Sequence, residues 1–312
     1  MTHFLTAVNA VMPFLVYITF GYGIKTFGLA DEAFLRRLNR LVFQAFFPVM
    51  MFYNLYHNEG TQLHMGRLIL TGMLGEVVLV VTLVLTVPRL VKENAKRGVL
   101  IQAIYRSNFV LYAIPLTESV FGQSGVALTS MMVAIVVPFY NVTAVIILEY
   151  FRGGKLNLGE LVKKVMMNPM ILGALAGGLF LLLGIRLPEC VEKPISQLSA
   201  LTTPLALFIL GGTLRFSSMK KNLPLIMPAV FMKLAAIPAI MVLISIAVKM
   251  EPLDRFVMLT MFATPTATAS FPMAQSMDGD GELAGELVVC STAVSVVTIF
   301  LWVFVLKYTG LI

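Results

Sequence analysis

Apolar residues along this chain fall into long continuous stretches separated by short polar connectors, without the alternation of a half-buried strand. Ten such stretches stand out, at 4–24, 34–56, 67–88, 98–119, 125–150, 166–186, 195–215, 223–248, 253–276 and 285–309. Their lengths suit a helix crossing a bilayer core, which takes about 20 residues. A membrane β-barrel would instead show short segments of alternating polarity. The pattern predicts an all-α integral membrane protein of ten transmembrane helices, and the connectors leave no room for a soluble domain.

The halves of the pattern resemble each other. An offset of 156 residues superimposes Pro13 on Pro169, Gly21 on Gly177, Gly28 on Gly184, Pro48 on Pro204 and Phe52 on Phe208. The expected organisation is therefore two five-helix repeats, 1–156 and 157–312. An odd number of crossings per repeat turns the second upside down relative to the first. Inverted repeats are common in secondary transporters, whose substrate sites lie near the midplane where interrupted helices meet.

Composition narrows the class further. Hydrophobic residues make up 58% of the 312 and charged residues 12%, against roughly 25% charged in soluble domains. The net charge of +7 suggests nucleic acid at first sight, but the placement of the charges points to topology. With the N-terminus outside, the inner connectors collect fifteen Lys and Arg, including Arg36, Arg89, Arg97, Arg152 and Lys220, against six outside. The positive-inside rule then puts both termini outside, in a cell (inner) membrane. Met1-Thr2-His3 is no basic leader and 4–24 is long enough to span, so no cleavable signal is expected. Cys190, in a connector, and Cys290, in the last helix, read as unlinked thiols.

The fourth and ninth stretches are unusual. One reads Tyr105-Arg106-Ser107-Asn108 and continues to Pro115; the other reads Ala263-Thr264-Pro265-Thr266-Ala267-Thr268-Ala269-Ser270-Phe271-Pro272. Proline removes a backbone donor and clashes with the preceding turn, so both helices are expected to break in mid-membrane. Broken backbone at that depth has to lie inside protein or beside a wet cavity.

These motifs resemble the auxin efflux carrier family. The resemblance also rests on Asn168-Pro169, on Pro204-Leu205-Ala206-Leu207-Phe208 with Gly211, and on Glu149-Tyr150-Phe151-Arg152. It spans the whole chain. It implies a scaffold of helices 1, 2, 6 and 7 (1–66 and 166–222) and a mobile transport unit of helices 3–5 and 8–10 (67–150 and 223–312). It further implies that the two broken helices cross within the transport unit, an elevator-like motion and a homodimer. The long cytosolic loop of many plant members is absent, since Phe151 to Met166 joins the halves, as in compact bacterial members described as malate or malonate permeases.

By that resemblance Asn108 contacts a substrate carboxylate. A neutral amide beside the N–H groups of a half-helix N-terminus is suited to hold an anion and release it. Pro115, Pro265, Thr266 and Ser270 are expected around the same crossing. Tyr112 supplies either a wall of the site or plain packing. Ionisable residues inside membrane helices are costly and usually functional. Of these, Arg106 is a candidate for a second carboxylate. Glu76 and Lys233 stand at nearly equivalent repeat positions. They either pair and exchange a proton or ion, or form a structural bridge, Glu76 alternatively with Arg106. Asn141 reads as an interhelical hydrogen bond.

Other patterns are weaker. The run 278–282 hints at calcium, but Leu283 stands where an EF-hand loop takes glycine, so a solvated loop is expected. Gly122-Gln123-Ser124-Gly125 mimics an intramembrane protease motif, yet His3, His57 and His64 lie in outer segments, away from it. No nucleotide or zinc motif appears, so neither cofactor nor enzymatic chemistry is expected. The expected function is a secondary carrier for small organic anions, with carboxylates such as dicarboxylates or auxin-like acids favoured. Its partners would be the anion, the bilayer and a second copy, with no nucleic acid. The alternatives are a cation or proton exchanger, which would want carboxylates at the crossing, and a solute-sensing membrane receptor.

Overall fold

A computed structural model describes residues 2–57, 66–152, 159, 162, 163, 166–214 and 216–312. Most of the 57–66 connector and much of 152–164 lie outside the described residues, as do His64, Lys155, Lys164 and Arg215. Among the described residues the chain is helical, with no strand beyond one isolated bridge.

The first half of the chain opens with α1 (Thr2–Thr26) and continues through α2 (Glu32–Leu41) and α3 (Phe47–Tyr56). Asp31 starts α2 by accepting the Phe34 N–H at 2.6 Å, an N-cap arrangement. A π-helical turn, Val42–Phe46, joins α2 to α3 immediately before Pro48. Next come α4 (Gly66–Leu90), α5 (Asn94–Tyr105), α6 (Phe109–Phe121) and α7 (Gln123–Phe151). The second half contains α8 (Pro169–Leu182), α9 (Glu189–Thr213), α10 (Phe216–Phe231), a second π turn at Met232–Ala236, and α11 (Ile237–Ala247). It ends with α12 (Pro252–Ala263), α13 (Ser270–Ser276) and α14 (Gly281–Tyr308).

Both π turns precede a proline, Pro48 or Pro238, which cannot donate to the turn before it. At Pro238 the carbonyl four residues earlier, Leu234 O, is taken instead by the Trp302 indole N–H at 2.9 Å. A proline in an apolar helix thus leaves no carbonyl stranded here.

Among the described residues, five runs are long and apolar enough to cross a membrane: Gly66–Leu90, Ser124–Phe151, Glu189–Thr213, Met219–Ala247 and Gly281–Tyr308. Their outward faces suit lipid. On α4, Leu70, Leu74, Val78, Val81 and Leu85 form one exposed stripe at helical spacing. Thr82 and Thr86 on the same helix return their hydroxyls to backbone carbonyls one turn earlier, at 2.7 Å each. The chain is a multi-pass membrane protein.

The 156-residue offset recurs in the backbone geometry. Gly28 and Gly184 both have positive φ, 73° and 63°, which glycine adopts without a Cβ penalty. Each closes its helix identically: Leu29 N–H bonds Ile24 O and Ile185 N–H bonds Phe180 O, both at 3.0 Å. The closest helix pairs exchange partners between the halves, α1 with α9 and α3 with α8. A Cβ on Gly21 would stand 1.9 Å from Phe208 O, and one on Gly177 would stand 2.4 Å from Phe52 O. These are the same contact seen twice, because both partners shift by 156. Glycine lets helices approach this closely where lipid supplies no hydrophobic drive.

Two apolar cores result. One lies within α4, α5, α7, α10, α11, α12 and α14, with Phe109 and Ala113 of α6 and Ala274 of α13. The other joins α1–α3, α8 and α9 to α6, α12, α13, α14 and part of α7.

The glycine contact generates a test. Gly21→Val must push two backbones apart, and overpacking of this kind costs about 1–3 kcal/mol or more. Gly178 has nothing within 4 Å of a built Cβ, so Gly178→Ala should be neutral. Thermal unfolding in detergent should show a clear loss for the first and none for the second.

Candidate functional site

The fourth and ninth stretches do break and cross. α5 ends where Arg106 turns extended (φ −80°, ψ 104°), and α12 ends where Thr264 does so (φ −76°, ψ 152°). The extended segments run antiparallel and bridge at Ser107 and Thr266. Asn108 N–H donates to Pro265 O at 2.7 Å, and Ala267 N–H donates to Arg106 O at 3.0 Å. The break in segment four contains no proline, contrary to the sequence expectation. Pro115 lies inside α6 and Pro272 in the first turn of α13, where its missing N–H costs nothing. Pro265 alone sits in a break.

The exposed end of α5 is tied off by side chains. Thr266 Oγ1 donates to Ala103 O at 2.8 Å. Lys233 Nζ donates to Tyr105 O at 3.2 Å and also to the Ser107 hydroxyl. A cation at the carbonyl end of a helix is favourable. Thr266 N–H is taken by Ser291 Oγ at 3.1 Å, and Gln102 Nε2 donates to Ser270 O at 3.0 Å.

The start of α6 is treated differently. The chain before it is extended, so its first N–H groups have no carbonyl one turn earlier. Asn108 occupies the N-cap position without capping. Its Nδ2 is buried with no partner among the described residues. It borders a cavity of about 690 Å³ walled by the crossing, α7 and the inner faces of α1, α3 and α9. Arg106, Ser107, Asn108 and Pro115 face this cavity, as do Tyr140, Asn141 and Thr268. Arg106 is 3% exposed. Its guanidinium is held by neutral partners, Asn141 Oδ1 and Met273 Sδ, the latter at 2.7 Å. Asn141 in turn donates to Met51 Sδ at 2.8 Å, the interhelical bonding expected of it. No carboxylate pairs with Arg106 among the described residues.

Of the expected site residues, Arg106, Asn108 and Pro115 line the cavity, whereas Tyr112, Pro265, Thr266 and Ser270 do not. The Tyr112 hydroxyl turns to Ser295 and Thr292 of α14. Pro265, Thr266 and Ser270 buttress the crossing through the hydrogen bonds above. Glu76 and Lys233 form no ion pair, and neither do Glu76 and Arg106. Lys233 is occupied at the end of α5, and Glu76 Oε1 accepts from the Tyr140 hydroxyl at 2.6 Å. Sequence reasoning missed Ser107, Tyr140, Ser199 and Thr203 as cavity residues. Tyr140, beside Asn141 in an apolar helix, carried a readable signal; Ser199 and Thr203 come from the opposite wall and carried none.

The weaker patterns resolve as ordinary structure. Asp280 Oδ1 caps α14 at Leu283 N–H, 2.9 Å away, and Asp278 pairs with Arg152 at 2.7 Å. No cluster of three His, Cys, Asp or Glu that could hold a metal exists among the described residues. Ser124 Oγ donates to Phe121 O at 2.9 Å, while His57 lies 2.8 Å from Glu192.

An all-helical membrane chain with two interrupted helices meeting over a cavity has the form of a solute carrier. Residues 6–303 match the membrane transport protein family. The chain belongs to that family, whose members are auxin efflux carrier-like, and is a transporter rather than an enzyme. It is similar to a protein of Methanothermobacter thermautotrophicus described as an uncharacterized transporter, with 25% identity covering 97% of this chain and 99% of that one. A Methanocaldococcus jannaschii protein of the same description is 22% identical over 96% of this chain and 98% of its own.

Proposed function

We propose that this protein is a secondary carrier of small organic anions, with carboxylates as the favoured class, bound at the crossing of the interrupted helices. The observation that carries the proposal is Asn108: its Nδ2 is buried with no partner among the described residues, and the residue borders a cavity whose described lining contains Arg106 and no Asp or Glu. The open N–H groups at the start of α6 add a second source of partial positive charge. A cation or proton exchanger would want an acid at this crossing. The wall is mostly apolar, which suits a carboxylate carried on a hydrocarbon body.

The proposal includes ten membrane crossings arranged as two inverted repeats, for which the duplicated glycine contacts are the support. It also includes an elevator-like division between α1–α3, α8 and α9 on one side and α4–α7 and α10–α14 on the other. With both termini outside, the cavity faces the outer side. The inner side is held by Asn39 Nδ2 on Ser276 Oγ at 3.4 Å and Asn168 Nδ2 on Met277 Sδ at 3.8 Å. Uptake of labelled carboxylates into proteoliposomes separates this reading from a receptor that binds without transport.

Asn108 provides the sharpest test. Hydrogen bonds to charged groups contribute about 1.5–3 kcal/mol, so Asn108→Ala should weaken carboxylate binding about 10- to 150-fold, with folding near normal. Asn108→Asp should be worse, since it sets a negative charge against the anion. An amide analogue of the same ligand should feel the Asp change far less. A thermal-shift panel of mono- and dicarboxylates identifies the ligand. If both variants bind it like the parent, the site assignment is wrong.

Orientation is tested with thiols. Cys190 is exposed and should react with an impermeant maleimide added to intact cells. Asn94→Cys in a Cys190→Ser background should react after permeabilisation alone. Labelling of position 94 from outside overturns the topology.

A further inference from the structure

We propose that Glu76 takes up a proton when the cavity takes up its anion, with Tyr140 as the link, so that anion and proton are carried in the same direction. The inference rests on the anion site proposed above and concerns what travels with the anion.

Glu76 is fully buried on α4. One carboxyl oxygen accepts the Tyr140 hydroxyl at 2.6 Å, and the other has no partner among the described residues. The ionisable groups around it are Tyr140 from α7, Tyr105 at the end of α5 and Lys233 from the second π turn. The neighbouring surface of α4, at Gly72 and Gly75, meets Met132, Met241, Met261 and Phe262, which carry no charge. Lys233 directs its ammonium to Tyr105 O and Ser107 rather than to Glu76. A purely structural acid at this depth would be expected to pair directly with that cation, because unpaired buried charge is costly. Glu76 is left instead on a single phenol.

That phenol belongs to two environments. Tyr140 donates to Glu76 and also lines the cavity beside Ser107. A phenol has one proton to donate. While Glu76 is ionised, that proton is committed to the carboxylate. When Glu76 is protonated, its own O–H can donate to Tyr140 Oη, and the phenol proton is released either to Met261 O, 3.3 Å away, or toward Ser107 on the cavity wall. An anion oxygen at that wall is an acceptor for it.

Charge balance acts in the same direction. Arg106 lies at the cavity wall and Lys233 just behind it, and among the described residues Glu76 is the one carboxylate in this network. An anion entering the cavity supplies the negative charge that Glu76 otherwise provides, so the acid can be neutralised by a proton from solution. Binding linkage is reciprocal, so the proton must then strengthen anion binding as the anion strengthens proton binding.

The experiment uses the full-length protein in detergent with succinate as probe, between pH 6.5 and 8.5, where succinate is a dianion. Affinity should weaken as pH rises, by up to about tenfold per unit for one linked proton. Mixing protein and succinate in weak buffer should raise the pH by about one proton per anion bound. Glu76→Gln, which resembles the protonated acid, should bind at every pH as the parent does at its low end, with the slope gone. Tyr140→Phe, which cuts the link and keeps the ring, should flatten the slope while Glu76 remains. If Glu76→Gln cannot be purified, proton uptake by the parent and the slope of Tyr140→Phe decide. Succinate binding with a flat profile and no proton uptake overturns the coupling and leaves the anion site standing, as does a parental slope in Glu76→Gln. Failure of succinate and every other carboxylate to bind overturns the anion site, and the coupling with it.

Discussion

Backbone inside a bilayer must satisfy its own hydrogen bonds, and this protein breaks two helices where water is scarce. Each break repairs the other. Asn108 N–H reaches Pro265 O, and Ala267 N–H reaches Arg106 O. The repair is incomplete in a directional way. Where α5 ends, the stranded carbonyls are covered by the Thr266 hydroxyl and the Lys233 ammonium. Where α6 begins, Asn108 makes no cap hydrogen bond to the first N–H groups, and Phe109, Val110 and Leu111 border the cavity. A chain interrupted in this manner therefore presents donors to whatever occupies the space. The case for an anion begins from this polarity of the peptide backbone and is then strengthened by Asn108 and Arg106.

Much of this was legible in the sequence, for reasons that are local. Helix edges follow from apolar runs ending at glycine or proline, and Gly28 and Gly184 close their helices alike because both neighbourhoods repeat. Asn108 could be singled out because it stands where the family resemblance implies a carboxylate-binding asparagine, and an amide beside a half-helix N-terminus suits an anion. What could not be read depends on direction. Tyr112 is one turn from Asn108, yet it points to α14. The extended residues before Phe109 set the rotation of α6, and no periodicity spans a break. Pro115 suggested the position of the break and is instead accommodated within α6. The expected Glu76–Lys233 pair failed because α5 already required a cation at its carbonyl end. Ser199 and Thr203 joined the cavity through packing between distant helices.

The two cores bear on which surfaces stay together. Between α1 and α9, and between α3 and α8, backbone meets backbone at glycine, and even a methyl group would collide. Such contacts leave no room for sliding. The polar links from this assembly to the tip of α13, set beside a shared apolar core, are of another kind: one 3.4 Å hydrogen bond from Asn39 and one 3.8 Å contact from Asn168 to a sulfur. Few, neutral and weak, they can be exchanged for lipid or water contacts at modest cost. On the proposed elevator division, the close-packed glycine seams fall within the scaffold and the weak polar contacts fall on the moving boundary.

The treatment of Arg106 follows the same logic. A buried guanidinium can be stabilised by a carboxylate, but that would cancel the charge on which anion binding depends. Here it is held by an amide oxygen and a thioether sulfur, which fix its position without neutralising it. The cost of keeping such a charge unpaired falls on the empty carrier, and occupation by an anion relieves it. If the empty state is strained in this way, the site should favour anions over neutral isosteres by more than hydrogen bonds alone provide. Replacing Asn141 by Asp would supply the missing counter-charge and should remove that preference while leaving the cavity's size nearly unchanged. Competition between a carboxylate and its amide in Asn141→Asp would measure it directly. An undiminished preference for the carboxylate would mean that Asn108 and the α6 N-terminus carry the selectivity without Arg106.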